Sequence, residues 1–140
     1  MPAEYFLDTN VFVYSFDETA PKKRARARAL IKEALESAKG VISSQVAQEF
    51  LNVALHRFAR PLTAREGAEY LDQVLTPLCR VFASPELLRD AVAVQAETGF
   101  HFYDSLIVAG ALASGARILY TEDLQAGRRL RGLSIENPFR

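Results

Sequence analysis

The sequence has little of what secreted, membrane-spanning or highly basic proteins depend on. Its 140 residues contain one cysteine, Cys79, so no disulfide can form within the chain and a reducing compartment is expected. The 17 Lys and Arg residues equal the 17 Asp and Glu residues, so the molecule as a whole has no basic field. No apolar run is long enough to span a bilayer, and the N-terminus lacks the pattern of a signal peptide. We therefore expect a cytoplasmic protein with no membrane contact.

The composition is that of an ordinary globular protein. Hydrophobic residues make up 49% of the chain and charged residues 24%, which is enough apolar material for a real core. Neither repeats nor low-complexity segments divide the chain, so residues 1–140 are predicted to form a single domain. Cys79 lies in an apolar segment, Leu78 to Phe82, and is interpreted as a small core residue rather than a nucleophile.

Short apolar segments alternate with helical patterns along the whole length. Strands are predicted in five segments: Tyr5 to Leu7, Val41 to Ser43, Leu78 to Phe82, Arg117 to Thr121 and Leu133 to Ile135. Amphipathic or apolar helical patterns lie between them. This order predicts an α/β fold with three layers, in which a four- to five-stranded parallel sheet is flanked by helices on both faces.

Local signals set the expected helix ends. Pro21 suits a first helical position, and Gly40 suits the end of the same helix. Thr63 and Glu66 form the spacing of a capping box, and Pro77 is expected to end the helix that follows.

The first predicted strand ends on a carboxylate, Asp8. An ionised carboxylate is costly to bury without a partner, so its position needs an explanation. Three more acids are expected at the same edge, because ligands in open parallel sheets bind at the carboxyl ends of the strands. Asp123 follows the fourth strand, Asp104 opens the helix that leads into it, and Glu49 lies early in the helix after the second strand.

Four converging acids favour a bound cation, which offsets their mutual repulsion. Oxygen ligands favour Mg²⁺ or Mn²⁺ over Zn²⁺. The two histidines, His56 and His101, have no metal-ligand spacing. A carboxylate-bound Mg²⁺ keeps several waters and can position one for attack on phosphorus.

Each acid also has a plainer interpretation. Asp104 could simply favour a helix N-terminus, and Asp123 could be a turn residue. Glu49 lies away from the apolar face of its helix, as a solvated glutamate would. Asn10 and Thr121 could hydrogen-bond a ligating carboxylate or water, or they could be turn and strand-end residues.

The motifs around these acids resemble those of PIN-domain nucleases, most of all the VapC-type toxins of toxin–antitoxin pairs. The resemblance covers nearly the whole chain and is carried by four segments in the order of the family: Leu7-Asp8-Thr9-Asn10-Val11, Gln48-Glu49-Phe50, Tyr103-Asp104-Ser105-Leu106-Ile107-Val108-Ala109 and Thr121-Glu122-Asp123.

This resemblance implies a PIN-like fold and a Mg²⁺-dependent endoribonuclease. Asp8 and Asp104 would be the principal metal ligands, Glu49 and Asp123 would complete the acidic site directly or through waters, and Thr121 would support Asp123. It also implies an RNA substrate, a homodimer and a small antitoxin protein that silences the site. The basic run Lys22 to Arg28 could contact phosphates, or it could be a solvated helix face.

Two other functions remain open from the residues. A different metal-dependent phosphohydrolase or phosphotransferase could use Asp8 as a nucleophile, although the acid–base Asp often found two residues later is replaced by Asn10. A non-catalytic PIN-like binding module is the other possibility. Nothing in the sequence separates RNA from DNA as the substrate.

Overall fold

A six-stranded sheet runs through residues 2–140, the part of the chain that this computed structural model describes. The spatial order of the strands is β3-β2-β1-β4-β6-β5. Every neighbouring pair is parallel except β5 and β6, which are antiparallel. The strands are β1 Tyr5–Leu7, β2 Gly40–Ser43, β3 Cys79–Val81, β4 Ile118–Tyr120, β5 Arg129–Leu130 and β6 Leu133–Glu136.

Helices cover both faces of the sheet and give the predicted three-layer α/β/α architecture. Helices α1–α5 pack among themselves and α6 packs against α7, and the usual right-handed crossover between parallel strands places these two groups on opposite faces of the sheet. The helices are α1 Thr9–Tyr14, α2 Pro21–Ser37, α3 Ser44–His56, α4 Ala64–Tyr70, α5 Thr76–Leu78, α6 Pro85–Thr98 and α7 Phe102–Ala113, with a π-helical turn at Leu71–Leu75. Between residues 2 and 140, no helix combines the length and apolar character needed to cross a membrane.

The core lies where the central strands meet these helices. Phe6 and Leu7 of β1 are fully buried, as expected of a central parallel strand covered on both faces. Phe12 of α1 and Phe50 of α3 are also fully buried, and their rings pack edge to face with centroids 6.2 Å apart. Burying each such side chain contributes roughly 1.5–3 kcal/mol, so this core holds β1, α1 and α3 in fixed relative positions.

The chain changes direction across the sheet at β1. The strands that follow β1 are added first on one side, as β2 and β3, and the chain then returns to place β4 on the other side. In open parallel sheets, such a reversal leaves a crevice at the carboxyl ends of the two strands. The crevice between β1 and β4 is therefore where this topology favours a site.

Most sequence-predicted elements are confirmed, including all five parallel strands. Pro21 takes the first position of α2, and Thr63 and Glu66 form a complete capping box before α4. The sixth strand, β5, was not predicted because its two residues, Arg129 and Leu130, carry no alternating pattern.

Two predicted helix ends are wrong. The chain leaves α2 at Ala38, which adopts the left-handed conformation, whereas Gly40 lies inside β2 against the ring of Tyr5. Pro77 does not end its helix, because it occupies the first turn of α5, where a missing N–H costs little. Cys79, expected in the core, begins strand β3 at the edge of the sheet and is only partly buried.

Candidate active site

Asp8 lies at the crevice between β1 and β4. Its backbone N–H donates to the Tyr120 carbonyl at 3.0 Å, which continues the pairing of the two strands by one residue. It is also the N-cap of α1, and its Oδ1 accepts from the Thr9 N–H at 2.6 Å. The residue is only 5% exposed. The strand-to-helix turn therefore fixes this carboxylate in a buried position.

Thr121 holds the second oxygen of this carboxylate. Its Oγ1 donates to Asp8 Oδ2 at 2.7 Å, and the residue is fully buried. The same Oγ1 accepts from the backbone N–H of Asp123 at 3.1 Å. One hydroxyl thus connects the end of β1 with the segment that carries Asp123.

Burial dominates the electrostatics of Asp8. It raises the pKa of this carboxyl to about 6, against the lowering effect of hydrogen bonds from Thr121 and Thr9. The charges of Asp123 and Glu49 raise the pKa further. Two of the other predicted site acids are therefore close enough to repel Asp8.

Glu49 reaches the site from the early part of α3. Its Oε1 accepts from Thr9 Oγ1 at 2.7 Å, and its Oε2 accepts from Gln45 Nε2 at 3.3 Å. The side chain is partly buried rather than solvated, because α1 packs against α3 and brings Thr9 to it. One oxygen of this carboxylate is therefore held by a donor from α1 and the other by a donor from α3 itself.

Asp123 and Asp104 add two further carboxylates near Asp8 and Glu49. The pKa of Asp123 is raised, first by burial and then by the charges of Asp104 and Glu122. The neighbouring Asn10 amide acts in the opposite direction and lowers this pKa. Both polar atoms of that amide are buried and make no hydrogen bond of normal geometry. Asp104 lies in the first turn of α7.

The four predicted acids thus share one edge of the sheet and are electrostatically coupled through Asp8 and Asp123. Their oxygens are the donor atoms that this edge could offer to a metal ion. Among residues 2–140, no three Asp, Glu, His or Cys side chains are close enough to hold a metal ion without moving. The predicted ligand set of Asp8, Glu49, Asp104 and Asp123 is therefore an arrangement that side-chain rotation would have to complete.

Comparison with known protein families gives a match over most of the chain. The PIN domain family matches residues 5–129, which contain all four acids. This chain belongs to the PIN domain family. A search of curated protein sequences gave no significant match.

Solved structures that resemble this PIN domain share its fold over nearly its whole length. A DNA-bound VapBC from Salmonella typhimurium is 19% identical with a TM-score of 0.67, over 97% of this chain and 98% of that one. A toxin–antitoxin complex from Klebsiella pneumoniae is 20% identical with a TM-score of 0.67, over 96% and 98%. VapC20 of Mycobacterium tuberculosis, described as a Sarcin-Ricin loop cleaving toxin, is 17% identical with a TM-score of 0.56, over 86% and 90%. At these identities the likeness concerns the fold.

The PIN domain also has a charged cluster beside Asp123. Glu122 accepts hydrogen bonds from Tyr14 Oη at 2.7 Å and from Lys23 Nζ at 2.8 Å. Burial raises the pKa of Glu122, but these two bonds outweigh it and the pKa is lowered. The Lys23 ammonium lies 4.6 Å from the centroid of the Tyr14 ring, a cation–π contact. These contacts fasten the loop after β4 to α1 and α2.

The basic run of α2 is partly used inside the PIN domain. Besides Lys23, Arg26 Nε donates to the Pro138 carbonyl at 3.0 Å and Arg28 Nε to the Ser15 carbonyl at 2.9 Å. These side chains bind the protein itself, which is a structural role not predicted from the sequence. A phosphate-binding role for this run stays a prediction.

The sequence did not reveal the role of Thr9, which donates to Asp8 and Glu49, or that of Gln45. Gln45 lies four residues before Glu49, on the same polar side of α3, and contacts that acid directly. A Gln–Glu pair at this spacing is a recognisable sequence signal, because residues four apart on a helix are neighbours.

Proposed function

We propose that this chain is a divalent-metal-dependent endoribonuclease that acts as the toxin of a toxin–antitoxin pair. The observation that carries the proposal is Asp8, a buried carboxylate at the switch point of a PIN domain, surrounded by the charges of other acids. The resemblance of the motifs to VapC-type toxins supports the same assignment.

The residues at this edge fit a hard cation in three ways. Their donors are all oxygens, the type that Mg²⁺ and Mn²⁺ prefer. Burial, with the charges of Asp123 and Glu49, raises the pKa of Asp8 to about 6, and a bound cation would favour the ionised carboxylate again. The two buried polar atoms of the Asn10 amide, beside Asp123, make no hydrogen bond of normal geometry, so they could bind a metal-bound water.

In this proposal Asp8 and Asp104 are the principal ligands, and Glu49 and Asp123 complete the set directly or through waters. A bound Mg²⁺ or Mn²⁺ would supply a positioned water and would offset the charge that develops at phosphorus. The protein contributes the orientation of its carboxylates. Thr121 and the Thr9 N–H fix the two oxygens of Asp8, and Thr9 Oγ1 fixes one oxygen of Glu49.

The toxin role is supported by the solved structures that share this fold. The Klebsiella pneumoniae structure is a toxin–antitoxin complex, the Salmonella typhimurium structure is a DNA-bound VapBC, and VapC20 is described as a Sarcin-Ricin loop cleaving toxin. We infer a cognate small antitoxin protein, a homodimeric toxin and a cytoplasmic location for this chain.

The nuclease is tested by incubating the purified protein with a mixed structured RNA and, separately, with single-stranded DNA, in Mg²⁺ or in EDTA. We compare the wild type with Asp8→Asn and with Asp72→Asn, a matched control whose exposed side chain lies in the π-helical turn. The proposal expects cleavage that requires Mg²⁺, disappears in Asp8→Asn and persists in Asp72→Asn. Full activity of Asp8→Asn would refute it, and cleavage of single-stranded DNA in place of RNA would correct the substrate.

The toxin role is tested in cells. Induced expression of the wild type should arrest growth, expression of Asp8→Asn should not, and co-expression of the reading frame next to the gene should restore growth. Growth arrest that is equal for the wild type and Asp8→Asn would contradict a catalytic toxin.

A further inference from the structure

Gln45 connects two of the acid-bearing helices through one side-chain amide. Its Nε2 donates to Glu49 Oε2 at 3.3 Å and to the backbone carbonyl of Tyr103 at 3.0 Å. Tyr103 directly precedes Asp104 in the first turn of α7. The amide therefore connects Glu49 of α3 with Tyr103, the residue next to Asp104 in α7.

The orientation of this amide is fixed by its neighbours. Glu49 Oε2 and the Tyr103 carbonyl are both acceptors, so only the NH₂ group of the amide can face them. The other atom, Gln45 Oε1, is buried and has no hydrogen-bond partner. A flip of the amide would place Oε1 against two acceptors and is excluded.

This arrangement is poor for stability and therefore points to another role. Gln45 is only 8% exposed, and the next residue along α3, Val46, is fully buried. Burying an amide with an unpaired oxygen is less favourable than burying an apolar side chain of similar size. Unlike an apolar residue, Gln45 can donate hydrogen bonds to Glu49 and to the Tyr103 carbonyl in the first turn of α7.

We propose that Gln45 is a positioning residue that sets the orientation of Glu49 relative to Asp104 for metal binding, an inference that rests on the proposed function. Glu49 Oε1 accepts a hydrogen bond from Thr9 and Oε2 accepts one from Gln45, so both oxygens of the carboxylate are fixed. Because the same amide also binds the Tyr103 carbonyl, it holds the Glu49 carboxylate in a set position relative to the start of α7. Partners of this kind orient metal ligands, and their loss weakens metal affinity by about 10–100-fold.

The test is Mn²⁺ binding followed by electron paramagnetic resonance, in wild-type protein and in Gln45→Met. Met matches the length of Gln but cannot donate. Gln45→Asn is the second variant, because it keeps an amide but shortens its reach by one methylene. Gln95→Met, at an exposed position of α6, is the matched control. Each Gln45 variant is also made in a Glu49→Gln background.

The proposal expects the Mn²⁺ dissociation constant to rise by about 10-fold or more in Gln45→Met and in Gln45→Asn, and to stay unchanged in Gln95→Met. In the Glu49→Gln background, the Gln45 substitutions should add little, because Gln45 acts through Glu49. A lower melting temperature with unchanged Mn²⁺ affinity would show a purely structural role and overturn the proposal. An equal effect in both backgrounds would also overturn it. Absence of Mn²⁺ binding by the wild type would instead refute the proposed function, and the positioning role with it.

Discussion

Thr121 donates a 2.7 Å hydrogen bond from Oγ1 to Asp8 Oδ2, across the ends of two neighbouring strands. The bond follows from the register, because Leu7 pairs with Tyr120 and the next residue on each strand is Asp8 and Thr121. It places a fully buried hydroxyl donor against a buried carboxylate. The pairing of β1 with β4 therefore determines the position of Asp8 relative to Thr121.

Replacing Thr121 with Val tests this bond. Val keeps the shape of the side chain but leaves Asp8 without one donor and the Asp123 N–H without its acceptor. The free energy of unfolding at pH 7 should fall by about 1–3 kcal/mol. Thr121→Ser keeps the hydroxyl and should lose less. Urea denaturation measures both, and equal stability of Thr121→Val and the wild type would contradict the importance of this contact.

Asp8→Asn should stabilise the metal-free protein at neutral pH. Burial raises the pKa of this carboxyl from 3.8 to about 6, so the folded state binds the proton more tightly than the unfolded state. The contribution of Asp8 to stability is therefore most favourable below pH 4 and is lost as the pH rises through 6. One pKa unit corresponds to 1.36 kcal/mol, so Asp8→Asn should gain about 1–3 kcal/mol at pH 7, less what the lost hydrogen bond costs.

Thermal denaturation in EDTA at several pH values measures this difference. The stability of Asp8→Asn relative to the wild type should increase between pH 4 and pH 7 and then level off. A difference that does not change with pH would mean that Asp8 is not strained by burial in the folded protein.

Gly40 and Gly110 should respond in opposite ways to substitution by Ala. A Cβ at Gly40 would overlap Tyr5 Cε2 and the Cβ of Ala34, so Gly40→Ala should destabilise the protein by about 1–3 kcal/mol. A Cβ at Gly110, inside α7, would have its nearest neighbour at 3.5 Å. Gly110→Ala should therefore be neutral or stabilising by up to about 1 kcal/mol, through helix propensity. Calorimetry that ranked the two variants in the reverse order would refute this packing of β2 and α7.

The fold was largely predictable because its signals are local. Apolar runs mark the five parallel strands, and Thr63 with Glu66 marks the start of α4. The errors lie where tertiary contacts override local preference. Gly40 is required by the approach of the Tyr5 ring rather than by a helix end, and β5 exists only because Arg129 and Leu130 pair with β6.

The location of the candidate site was predictable from strand order, whereas its inner contacts were not. The position of Asp8 at the end of an apolar strand is visible in the sequence. The Lys23–Glu122 ion pair joins residues 99 positions apart, and the Gln45–Tyr103 bond joins residues 58 apart. Only the packed structure brings these pairs together, so neither periodicity nor spacing in the sequence could predict these contacts.

The most direct test of a metal site at Asp8 is equilibrium Mn²⁺ binding to the wild type, Asp8→Asn and Asp72→Asn at neutral pH. We expect that the wild type binds Mn²⁺, that Asp8→Asn weakens binding by at least about 10-fold, and that Asp72→Asn binds as the wild type does. Unchanged binding by Asp8→Asn, or no binding by the wild type, would contradict an acidic metal site built around Asp8.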